Sequence, residues 1–181
     1  MIDFTARNVN GAFSQGRRAF LSGLGVVVNP RGKPTLELPG VVVTEYMRPT
    51  ERILFDPTRD CNPFLHLFES LWLLAGRDDT AFVNALNKRF SDYSDNGISM
   101  QGSYGHRWRF FFGYDQLIRL IHVLKTDPDS RRAVLTMWSP KDLVERYQSS
   151  DIPCNTQVYF KLRSNRLRMT VTNRSNDMVW G

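Results

Sequence analysis

The arrangement of apolar and polar positions divides the chain into short elements that change period several times. Residues 7–22 place Val9, Phe13, Phe20 and Leu21 among polar neighbours at helical spacing, and Gly23 can end that helix. Val26–Val28 and Leu36–Tyr46 are rich in β-branched residues, with a turn at Asn29-Pro30-Arg31-Gly32 between them. A helix follows from Pro63, with Asn62 as its cap and Gly76 as its stop. It is apolar almost all round, which predicts burial. A second helix is expected from Asp79 to about Phe90, and residues 91–105 read as a loop. Asp115–Lys125 returns to helical spacing, Asp127-Pro128-Asp129 stops it, and Ala133–Trp138 reads as a strand.

The last part of the chain alternates with period two. Val158, Phe160 and Leu162 lie before Ser164-Asn165, and Leu167, Met169 and Val171 lie after it. Alternation on both sides of a short polar turn predicts an antiparallel hairpin. Helices mixed with hairpins, without a regular βαβ array, place the chain in the α+β class. At 181 residues it fits a single domain, 1–181.

Composition adds a few exclusions. Hydrophobic residues make up 41% of the chain and aromatics 12%, so it is a folding sequence and not a disordered tail. No apolar run approaches the roughly 18 residues that span a membrane, and MIDFTARNVNG lacks the features of a secretory signal. A cytoplasmic protein is therefore expected, with Cys61 and Cys154 as free thiols. No Cys/His spacing suggests a metal site. The net charge of +6 favours anionic partners, although its even spread suits a solvated surface equally well.

Two positions stand out chemically. Glu69 lies in the middle of the most apolar helix, where a carboxylate is either a satisfied core residue or an acid–base group with a raised pKa. Cys154 follows Pro153 and leads into the hairpin. It is either a small buried thiol or a nucleophile, and a nucleophile needs positive charge nearby. Arg131-Arg132 and Arg174-Ser175 sit at strand ends in the same half of the chain, and arginine forks suit phosphate oxygens.

Four segments, in order, resemble thymidylate synthase. They are Phe68-Glu69-Ser70-Leu71-Trp72-Leu73-Leu74-Ala75-Gly76 and Gly102-Ser103-Tyr104-Gly105-His106-Arg107-Trp108-Arg109, then Asp127-Pro128-Asp129-Ser130-Arg131-Arg132, and lastly Pro153-Cys154 with Asn173-Arg174-Ser175-Asn176-Asp177. The resemblance covers about residues 60–181. It implies a mixed sheet with flanking helices, packed sheet to sheet across a homodimer. It also implies C5 methylation of dUMP to dTMP with 5,10-methylenetetrahydrofolate as co-substrate. Cys154 would add to C6 of the pyrimidine, Glu69 would organise water and proton transfer, and Tyr104 would relay protons near C5. Arg174 and Ser175 would hold the nucleotide phosphate, with Arg174 also activating the thiol. Arg131 and Arg132 would serve the partner's nucleotide, and Asp177 would contact the folate. A further phosphate arginine is expected at Arg48 or Arg52. Nucleic acid is not required.

This chain departs from the family pattern at four places. Asn155 replaces a histidine after the nucleophile, and Asn173 replaces a glutamine on the nucleotide side. Phe90 and Tyr93 stand where two tryptophans shield the cofactor side. The chain also ends at Gly181, before the Asn or Asp that reads the pyrimidine edge and before a C-terminal lid, so a fragment or a truncated gene is expected, with weak substrate binding in isolation. Phe90 and Asn155 favour an alternative ending, in which water completes the reaction and a 5-hydroxymethyl nucleotide of uracil or cytosine results. The breadth of the synthase family tips the reading towards methylation. A non-catalytic nucleotide- or nucleic-acid-binding remnant is the third reading.

Overall fold

The computed structural model describes residues 1–56, 62–144 and 149–178. Its contacts divide the chain into two compact units, Met1–Pro63 with Asp177–Gly181, and Phe64–Asn176.

In the first unit, α1 (Val9–Leu21) begins where the Asn8 side chain accepts from the Gly11 N–H, as an N-cap should. β1 (Ile2–Ala6) pairs in parallel with β4 (Val42–Tyr46), a pairing across forty residues that local pattern does not reveal. β2 (Val26–Val28) and β3 (Thr35–Glu37) form a short antiparallel pair. The single strand expected over Leu36–Tyr46 is thus two strands, because Pro39-Gly40 interrupts it. Glu51 accepts from Arg7 and Asn8, and these bonds hold its carboxyl down at about 2.

The second unit is built on the sheet β5-β6-β7, where β5 is Val134–Thr136, β6 Asn155–Arg163 and β7 Arg166–Asn173. The hairpin is as expected. Ser164 and Asn165 both adopt positive φ, 49° and 56°, the geometry of a tight two-residue turn. Leu120 of α5 (Gln116–Thr126) packs with Ala133, Leu135, Met137 and Val158 in one core cluster. The Gln116 amide joins three elements, donating to Arg107 O and Thr136 O and accepting from Thr136 N–H.

α2 (Pro63–Leu74) corrects one expectation. Of its residues only Trp72 is buried, against Val83 and Met100. Phe64, Leu67 and Leu74 are each more than half exposed. The helix has apolar residues on every side, but within its unit the packing partners meet one face alone. The helix after it is also shorter than expected: α3 covers Thr80–Asn84, capped by Asp79, and a 3-10 turn covers Phe90–Tyr93. Residues 91–105 are mostly loop, ending in α4 (Tyr104–His106), which runs on into a π-helical stretch at Arg107–Phe111. Gly105 lets α4 approach α2 closely, since a Cβ there would lie 2.0 Å from Leu73 O. Arg107 is 1% exposed and forms an ion pair with Asp142 at 2.6 Å.

Candidate active site

The hairpin register builds the site. Asn155 pairs with Asn173 at the open end of β6 and β7, so the next residues outward, Cys154 and Arg174, face each other, and Arg174 N–H donates to Cys154 O at 2.9 Å. The half-buried sulfur has two polar neighbours. Ser175 Oγ donates to Sγ at 3.4 Å, and Arg174 Nη2 stands 4.0 Å away. A hydroxyl donor and a guanidinium are the surroundings a thiolate nucleophile requires.

Arg174 is itself held in place. Its Nε donates to Pro153 O at 3.1 Å and its Nη2 to Ile152 O at 3.0 Å. Its Nη1 bonds no described residue, which leaves that edge for an anion. Trp138 supports the arrangement from below: its indole N–H donates to Pro153 O at 3.0 Å, and the guanidinium lies 5.8 Å from its ring centre.

Tyr104 joins the cluster through its hydroxyl, which accepts the Asn155 backbone N–H at 3.4 Å. Burial raises its pKa, and the neighbouring Cys154 charge raises it further. The phenol therefore stays protonated at neutral pH and can both accept and donate. The segment carrying Tyr104 is tied to the Cys154 segment by Asp151, whose carboxylate accepts Gly102 N–H at 3.0 Å. A Cβ at Gly102 would meet Asp151 Oδ1 at 2.5 Å. Burial lifts the Asp151 carboxyl above its ordinary range, partly opposed by that bond.

Of the other expected residues, Glu69, Arg131, Arg132 and Phe90 make no hydrogen bond to this cluster. Glu69 is half-buried on α2 and makes no hydrogen bond or ion pair with a described residue. Burial raises its pKa, and the nearby His66 lowers it slightly. Arg131 and Arg132 precede β5, at the opposite end of the sheet from Cys154, and both are exposed. At about 3.3 Å per residue, most of the length of β6 separates them from the nucleophile, on the order of 20 Å. Phe90 packs edge-on against Trp72, with ring centres 5.7 Å apart. Asp177 belongs to the first unit. Arg48 pairs with Glu51 at 3.6 Å in that unit. Cys61 lies outside the described residues.

Sequence reasoning passed over Asp151, and named Trp138 only as the end of a strand, with no role at the site. An indole at a strand end and a loop carboxylate carry no spacing signal of their own. Their partners, Pro153 O and Gly102 N–H, are backbone groups that only the folded chain brings near.

Comparison with known proteins bears on the family and the fold. The family model described as thymidylate synthase matches residues 32–181. A deoxyuridylate hydroxymethyltransferase of Pseudomonas phage M6 is 47% identical over 97% of this chain and 50% of its own length. One from Bacillus phage SP01 is 40% identical over 87% of this chain and 43% of its own. The chain thus spans half or less of each relative. Among solved structures, thymidylate synthase from T4 phage superposes with a TM-score of 0.54 at 22% identity, covering 66% of this chain and 46% of that one, which supports the fold. No helix among the described residues is long and apolar enough to cross a membrane.

Proposed function

The chain belongs to the thymidylate synthase family, with transferase relatives acting on nucleotides, and from that premise we propose that it forms part of a deoxyuridylate 5-hydroxymethylase. The observation that carries this reading is the Cys154 thiol set between the Ser175 hydroxyl and the pinned Arg174 guanidinium. The two phage relatives, each named a deoxyuridylate hydroxymethyltransferase, move the ending of the reaction from hydride to water.

The Cys154 thiolate adds to C6 of dUMP, which turns C5 into a nucleophilic carbon. A reduced folate, 5,10-methylenetetrahydrofolate, supplies the one-carbon unit as co-substrate. Loss of the C5 proton, with cleavage of the bond from the one-carbon unit to the folate nitrogen, then releases tetrahydrofolate and leaves an exocyclic methylene on the Cys154-bound nucleotide. Tyr104, protonated and beside Asn155 N–H, relays that proton. Glu69, whose carboxyl is pushed above its ordinary range by burial, acts through ordered water. Water adds to the methylene and the thiolate leaves C6. The products are 5-hydroxymethyl-dUMP and tetrahydrofolate, with no net oxidation.

The free Nη1 edge of Arg174 and the Ser175 hydroxyl receive the nucleotide phosphate. Asn173 stands beside them on the nucleotide side. Arg131 and Arg132, exposed and at the far end of the sheet, serve the site of a second copy in a homodimer packed through its sheets. Phe90 and Asp177 are assigned to the folate side by the family pattern alone. A cytoplasmic setting supplies both substrates.

The product decides between endings. Incubation of dUMP with the folate should yield a nucleotide one oxygen heavier than dTMP, without growth of dihydrofolate absorbance. Formation of dTMP with dihydrofolate would restore the methylation reading. Turnover of dCMP instead would change the base. Neither product would point to a binding remnant.

A further inference from the structure

Two departures from the family pattern, Asn155 and Asn173, are one structural unit. They are register partners across β6 and β7, and Asn155 Nδ2 donates to Asn173 Oδ1 at 2.9 Å. The strand register shifts immediately afterwards, between Asn155 and Gln157, and such irregularities re-aim side chains. Asn155 is 5% exposed. One end of its carboxamide is tied to Asn173, while the other end, Oδ1, is buried and accepts no hydrogen bond from a described residue. A buried acceptor without a donor is destabilising, and native structures keep one where an ordered water or ligand supplies the donor. Two other buried side-chain atoms are similarly unpaired, Trp108 Nε1 and Arg109 Nε, but both belong to the π-helical stretch. Asn155 alone of the three adjoins the nucleophile, and its own N–H bonds the Tyr104 hydroxyl.

We propose that the Asn155–Asn173 pair is a positioning device for the water that ends the reaction: Asn155 Oδ1, fixed through Asn173, accepts one hydrogen of that water and aims its oxygen at the exocyclic carbon of the Cys154-bound nucleotide. The inference rests on the hydroxymethylation reading. In the step, the water oxygen bonds to the methylene carbon. The electron pair of the exocyclic double bond moves towards the C4 carbonyl, then returns to restore C5–C6 and expel the sulfur. The proton released by water balances the departing thiolate. An amide does not titrate, so Asn155 orients the water without taking that proton.

The test is a competition for the same carbon. With 2-mercaptoethanol present, the methylene partitions between water, giving 5-hydroxymethyl-dUMP, and the thiol, giving a nucleotide thioether. In Asn155→Leu, which keeps the branched outline of the side chain without its polar atoms, the thioether should gain on the hydroxymethyl product by about tenfold. Asn173→Ala leaves the buried residue in place and should shift the ratio in the same direction. The double variant should add little to either single change, because the two act as one pair. The ratio does not depend on how much folded enzyme is present, so a merely structural role would not move it. Unchanged partition in Asn173→Ala and in folded Asn155→Leu, with hydroxymethyl product still made, overturns the inference and leaves the hydroxymethylase reading standing. A wild-type protein that makes dTMP, or nothing, overturns both.

Discussion

The two ends of the β5-β6-β7 sheet carry arginines of opposite character. At one end, Arg174 is committed to the fold: two carbonyls hold its guanidinium, and it faces a sulfur and an indole. At the other, Arg131 and Arg132 are exposed, with side chains that bond no described residue. The contrast separates a charge that is preorganised from charges that are available. Arg174 meets an incoming anion with its rotamer freedom already lost, whereas Arg131 and Arg132 give theirs up only on binding. One cation shapes the nucleophile, and the other two can only serve a ligand or a second molecule.

The sharpest way to break this comparison is Arg174→Ala. Covalent capture of a pyrimidine nucleotide by Cys154, followed by rapid quench, should slow by about a hundredfold or more. Arg174→Lys should restore little, since a single ammonium cannot bridge two carbonyls and keep a fork edge free. A near-normal rate in the lysine variant would mean that charge alone matters.

The double change Arg131→Ala, Arg132→Ala should act in the opposite way. It should raise KM for the nucleotide about tenfold and leave the melting temperature unmoved. A large loss of stability would show that these arginines, too, belong to the fold. Mixing that variant with Cys154→Ser should return activity, because one hybrid site would keep both its thiol and its borrowed arginines.

Glu69→Gln sharpens the comparison from the side of the carboxylate. Burial raises the folded-state pKa of Glu69, so the charged form costs stability. That cost is absent below the ordinary carboxylate range and appears as pH rises through the raised value. The variant should therefore melt higher than wild type at neutral pH and equally at strongly acid pH, while losing turnover. Equal melting at every pH would count against a desolvated carboxylate. The smallest effect is expected from Trp138→Phe, which keeps the ring but removes the bond to Pro153 O. It should cost about 1 kcal/mol in denaturant unfolding.

Much of the second unit was legible in the sequence. The Ser164-Asn165 turn sets the hairpin register, and counting back along both strands would bring Cys154 opposite Ser175; the register shift between Asn155 and Gln157, which the alternation does not reveal, moves it opposite Arg174. The helical spacing over Asp115–Lys125 holds as α5, where Asp115 turns out to be the cap, accepting from Ile118 N–H. The parallel pairing of β1 with β4 was not legible, because its partners are far apart in sequence and both strands are short. The exposure of α2 was also hidden: an all-round apolar helix signals what it would bury, not whether neighbours are there to bury it. At the site, residue roles came through resemblance. The contacts of Trp138 and Asp151 with backbone groups, and the pairing of Asn155 with Asn173, required the folded strands.

Everything chemical here turns on one bond, from Cys154 sulfur to C6 of the pyrimidine. The most direct measurement is intact-mass and peptide mapping after incubation with 5-fluoro-dUMP and 5,10-methylenetetrahydrofolate. The predicted result is a covalent adduct on the peptide that carries Cys154, absent from Cys154→Ser. An adduct that persists in Cys154→Ser, or one mapped to another residue, would contradict it.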